Sequence, residues 1–199
     1  VEAMRIALTF AGENYSTAYL QGISTNAFRI AGPCPCAPTC WGGLWPEALA
    51  KLLGYEVEVG RLTGEGDARK VSWESIHAKI KDSLRTGKPV VVWSAFTSYE
   101  WDLVCGFDDE TGEFIGRGSY PWMQKSARAV QDHPMDFSDV NGDMALFLGA
   151  KTGTFDVRKA ELDALKEAVA YSQQKMLTGK ELPAGLEAYN GWIDRKSVV

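Results

Sequence analysis

The stretch that decides the fold is W-D-L-V-C-G-F-D-D-E-T-G-E-F, residues 101–114. An apolar run ends at Gly106 and Phe107, an acidic turn follows, and E-F-I-G-R opens a second run at Glu113. Gly112 supplies the positive φ that a tight connection requires. The two flanking runs therefore read as strands of one hairpin, 101–107 and 113–117. The turn accounts for Asp108, Asp109 and Glu110 without a calcium ion.

Working outward, P-V-V-V-W-S-A-F at 89–96 is a β-branched, apolar run of the kind that forms a buried strand. Before it, 72–85 is an amphipathic helix with Trp73, Ile76, Ile80 and Leu84 on one face and Gly87 after its end. A strand is expected at 55–62 and a turn at 63–67. The chain opens with a helix at 1–11, in which Met4 and Leu8, and Ile6 and Phe10, are four apart and Gly12 is the stop. A short helix follows at 15–21, opened by Asn14 or Ser16, and another at 45–53, closed by Gly54. Residues 118–143 read as loop, and 144–148 as the last strand. Two helices close the chain, 156–177 with Leu162, Leu165, Val169 and Met176 on one stripe, and 182–193 with Leu182, Leu186, Tyr189 and Ile193 aligned. Helices, then strands, then helices is an α+β order.

The length of 199 residues suits one domain at 1–150, with a helical extension at 151–199 packed on it. A net charge of −5 with scattered Lys and Arg argues against nucleic acid and against an anionic membrane surface, since both need a basic face. No apolar stretch approaches the roughly 20 residues needed to cross a bilayer. Nothing in the sequence signals export, so a cytoplasmic location is expected. Seven Trp, seven Tyr and eight Phe fill a core and can also line a ligand cleft.

Three patterns in this order resemble the papain-like cysteine hydrolase superfamily. The first is a helix ending in Gly12, a linker, a second helix, and G-I-S-T-N-A-F-R at 22–29. The second is a helix, G-K-P-V-V-V at 87–92, and the hairpin L-V-C-G-F-D-D at 103–109. The third is a tail of paired helices bearing Ala168-Val169 and G-L-E-A-Y at 185–189. Within the superfamily the chain is similar to bacteriocin-processing peptidases, and most to the bacterial group around the N-terminal domain of the butirosin-biosynthesis acyltransferase. The resemblance implies N-terminal helices on a central antiparallel sheet, with a C-terminal helical pair.

It also implies a catalytic geometry from which this chain departs. Counting back from Gly12 places the family's nucleophilic cysteine one or two residues before Val1. Counting back from Gly106 places its histidine at Glu100. A carboxylate accepts a proton but cannot form the thiolate–imidazolium pair that activates a cysteine. The expected function is thus a non-catalytic or catalytically altered relative that binds a small molecule or peptide in its cleft. The alternative is a cysteine-dependent acyltransferase or amide hydrolase whose nucleophile lies just upstream of Val1, in a longer protein. No cofactor is expected.

Other residues could carry chemistry. Cys40, followed by Trp41 shortly before a helix, echoes the Cys-Trp of papain-type proteases and is a candidate nucleophile; His133 and Glu100 are candidate bases. His77 lies beside Trp73 and Ile80 on a helix and reads as a boundary residue. Trp101, Asp102, Tyr120, Trp122 and Trp41 are expected to line the ligand site, where an aromatic wall with one carboxylate suits a cationic or amphipathic ligand. A second alternative is a metal site in G-P-C-P-C-A-P-T-C-W, where Cys34, Cys36 and Cys40 supply three of the four ligands zinc requires. That site predicts about one equivalent of zinc in purified protein by elemental analysis; a content well below one removes it.

Overall fold

The middle of the chain is organised by one six-stranded sheet in the order β1-β6-β2-β3-β4-β5, with every neighbouring pair antiparallel. The strands are β1 (Tyr55–Arg61), β2 (Val90–Trp93), β3 (Trp101–Phe107), β4 (Glu113–Arg117), β5 (Ala127–Val130) and β6 (Met144–Lys151). This computed structural model describes residues 1–29, 43–97, 100–118, 127–130, 144–175 and 183–196. An α+β fold with a central antiparallel sheet is what the chain adopts.

The hairpin forms at the expected residues, with Phe107 facing Phe114 and Leu103 facing Arg117. Asp108 makes the turn: its Oδ1 accepts from the N–H of Glu110 at 2.9 Å and of Thr111 at 3.2 Å, while Gly112 takes φ +73°. That is an Asx-type turn, in which a short carboxylate substitutes for a backbone acceptor. The register slips between Val104 and Gly106, so Cys105 occupies a β-bulge.

Alternation along the strands sends side chains to two faces. On one, Val90, Val92, Val104, Phe114, Ala145 and Phe147 pack with Ile80 of helix α4 (Gly66–Arg85) in a buried cluster. Val91, Leu103 and Leu146, also buried, have the opposite parity. Helix α1 (Glu2–Phe10) lies against β2 and β3 and buries Met4 and Leu8, the pair expected from their spacing, while Phe10 stays exposed. Outside the sheet, Glu13 accepts from Tyr55 at 2.8 Å and from Lys151 at 2.6 Å, which ties the segment after α1 to β1 and β6.

Chain contacts divide the protein into two compact units, one of 1–15 with 54–153 and the other of 16–53 with 154–199. The division crosses the chain at three points, whereas the expected boundary near 150 provides for one. The second unit is helical: α2 (Thr17–Ile23), a 3₁₀ turn (Asn26–Phe28), α3 (Pro46–Leu52), α5 (Val157–Ser172) and α6 (Gly185–Lys196). Ser16 caps α2 by accepting from the Tyr19 N–H, and Asp156 caps α5 by accepting from Lys159. Arg29 pairs with Glu167 at 2.7 Å and lies over the buried Tyr171 ring at 5.0 Å.

Three details depart from expectation. Helix α4 begins at Gly66 rather than 72, because its first turns are largely solvated and carry no apolar period. Strand β2 ends at Trp93, where Ser94 takes φ +54° and breaks the extended run. On α5 the buried residues are Ala160, Ala164 and Tyr171, and the Leu162–Leu165–Val169 stripe faces outward. Met176 and Leu182 lie outside the described residues.

Gly116 on β4 leaves room for the sheet and for Phe96. A Cβ there would stand 2.0 Å from the Leu103 carbonyl oxygen and 2.5 Å from the Phe96 ring. Because the nearer atom is backbone, Gly116→Ala should cost about 2 kcal/mol or more. Thermal unfolding checks this, with an unchanged midpoint as the contrary result.

Candidate functional site

The site is built on the connection from β2 to β3. Ser94 turns the chain back, and its N–H donates to the Glu100 carbonyl at 2.7 Å, while the Glu100 N–H donates to Thr97 at 3.3 Å. A non-glycine residue at positive φ is strained, and persists where surrounding bonds over-determine it. Here those bonds include a buried carboxylate. Asp102 has no exposed surface, and its Oδ2 accepts from the N–H groups of Phe96 and Thr97, each at 2.7 Å. Val92 faces Asp102 and Trp93 faces Trp101 across the β2–β3 pair.

Trp93 and Trp101 stack edge to face with centroids 5.1 Å apart, and both are half-buried. Glu100, which immediately precedes Trp101 in the chain, is also half-buried. Desolvation pushes its carboxyl above the ordinary glutamate value of 4.5, and the charge of Asp102 pushes it further; the positive charge at the Val1 end of α1 opposes both. Helix α1 packs against β3, the strand that Glu100 immediately precedes.

The sequence-based site residues are distributed unevenly around this framework. Glu100 and Trp101 sit together, as expected. Asp102 follows them in β3 as a fully buried carboxylate that accepts from two backbone amides of the loop. Cys34, Cys36, Cys40, Trp41, Tyr120, Trp122 and His133 lie outside the described residues. Among the described residues no group of three or more metal-ligating side chains gathers. His77 is stacked on Trp73 at 3.7 Å and tilted against Phe114 at 4.6 Å, the packing of a boundary residue. Cys105 is a free cysteine on an exposed residue, and desolvation of its thiol raises the pKa, which makes it a poor nucleophile. No helix among the described residues is long and apolar enough to cross a membrane.

Two members of the site were absent from the sequence reading. Trp93 and Ser94 were absorbed into a strand over 89–96. A small polar residue at the end of an apolar run was the available signal that the strand stops.

Glu100 has a consequence for stability. Its carboxyl is raised in the folded state, so folding favours the protonated form. The corresponding stability is present below the unfolded value near 4.5 and is lost as pH rises through the folded value. Glu100→Gln should therefore raise the melting temperature at pH 7 and flatten its decline between about pH 4.5 and neutrality. A melting temperature lowered at pH 7 would contradict this account. Comparison with protein-family models, with curated proteins and with solved structures finds no match to this chain.

Proposed function

We propose that the chain is a papain-like relative whose cleft binds a small cationic or amphipathic molecule or a peptide, with its catalysis altered or absent. One observation carries the reading: helix α1 packs against β3, and Glu100 immediately precedes that strand. These are the two places from which the superfamily presents its cysteine and its histidine. In this chain the second position holds a carboxylate with a raised pKa, next in sequence to Trp101, whose ring pairs edge to face with Trp93. A partly desolvated carboxylate gains most from an ammonium or guanidinium group, and indole faces add cation–π attraction.

A second reading rests on the same adjacency. If a cysteine precedes Val1, the Glu100 carboxylate would accept its proton and the thiolate would attack an amide or thioester carbonyl. Collapse of the tetrahedral intermediate would break the C–N or C–S bond and expel the amine or thiol, which takes the proton back from Glu100. That leaves an acyl-cysteine for water or an acceptor to cleave. This is the acyltransferase or amide-hydrolase alternative, and it needs the longer protein.

Two measurements separate the readings. Titration with arginine amide, followed by tryptophan fluorescence, should give saturable binding that acetate does not compete. Trp101→Ala and Glu100→Gln should each weaken it roughly tenfold or more while the domain stays folded. A large loss of thermal stability in Trp101→Ala with unchanged affinity would assign that ring to packing alone. Brief iodoacetamide treatment of the natural full-length protein, read by top-down mass spectrometry, should find no fast-reacting cysteine before Val1. A rapidly alkylated cysteine there makes the second reading the correct one, and Glu100→Gln would then abolish turnover.

A further inference from the structure

The two helices that end the second unit carry their side chains inside out. On α5 the inward face is Ala160, Ala164 and Tyr171, while Leu162, Leu165 and Val169 are 49%, 57% and 61% exposed. On α6 the buried residues among those described are Gly185 and Ala188, while Leu186, Tyr189 and Ile193 are 64%, 40% and 55% exposed. Single exposed apolar residues are ordinary; aligned sets on two successive helices mark an interaction surface. Both sets are spaced three and then four residues apart, the repeat that makes a seam for a partner helix.

The charges beside the α5 seam point to the partner. At 100° per residue the seam is flanked on one side by Glu161 and on the other by Lys159 and Lys166. If two copies of α5 run parallel, Glu161 of one meets Lys166 of the other, five residues on, and symmetry makes the contact twice. If they run antiparallel, like charges face each other. The stripe is therefore self-complementary in one orientation.

We propose that the outward face of α5, extended by that of α6, is the interface of a parallel, two-fold symmetric homodimer. The apolar residues supply the affinity and Glu161 with Lys166 sets the orientation, since exposed ion pairs by themselves contribute little. Arg158, at the N-terminal end of the stripe, limits the seam to the turns from Leu162 onward. This surface is independent of the cleft reading.

The test is sedimentation equilibrium on the full chain over a micromolar concentration range, with circular dichroism as the control for folding. The wild type should be dimeric. Leu165→Glu should weaken dimerisation roughly tenfold or more, because the substituted side chain is exposed in the monomer and leaves its fold intact. Glu161→Lys should weaken it severalfold, and Glu161→Lys combined with Lys166→Glu should restore it. A wild type that stays monomeric throughout, or a dimer indifferent to Leu165→Glu, overturns the proposal. A double variant no tighter than Glu161→Lys overturns the parallel orientation.

Discussion

The site depends on a single buried carboxylate. Asp102 lies at the second position of β3, out of contact with water, and takes two amide hydrogens from the connection that precedes it. Left without that acceptor, each buried N–H would carry a desolvation cost of about 1–3 kcal/mol. The loop is thereby folded back onto β3, and the same folding holds Ser94 at positive φ and sets Glu100 at the mouth of the strand. A charged group inside the sheet is expensive, and such residues are retained where backbone donors satisfy them.

Glu100 experiences the consequence. It stands two residues before Asp102 in the chain, and the buried charge that shapes its loop also resists its ionisation. The helix end at Val1 pulls in the opposite direction. A carboxylate poised between these influences differs from a solvated surface glutamate.

Packing elsewhere follows the sizes of side chains more closely than their hydrophobicity. The sheet buries Val90, Val92, Val104, Phe114 and Phe147 in one cluster with Ile80 of α4. Among the described residues, the buried positions of α5 and α6 are Ala160, Ala164, Tyr171, Gly185 and Ala188, of which Tyr171 alone is large. Small residues let helices approach closely, and leucines on the same helices are left for the outer face. Helical period alone assigns the leucine stripe to the core; the crowding of the observed interior assigns it outward.

The hairpin was legible because it is local. Strand pairing across 101–117 is set by Gly112 and the Asx turn of Asp108, which act within five residues, and the alternation of the flanking runs leaves one register. Helix α1 with Met4 and Leu8 inward was legible for the same reason, as was the capping of α2 by Ser16. Glu100 and Trp101 could be singled out only through the resemblance to papain-like hydrolases, by counting back from Gly106. The burial of Asp102 could not, because its partners Phe96 and Thr97 are brought to it by a turn at Ser94 that no propensity announces. The reversal of α5 was likewise invisible, since an amphipathic pattern says that a helix has two faces and not which neighbour each will meet. The sequence by itself determined the hairpin and the element order, because these are short-range effects of turn chemistry and period. Tertiary structure alone decided what Glu100 stands beside and which helix faces remain open, because both are set by the crowding and desolvation that follow once distant segments pack.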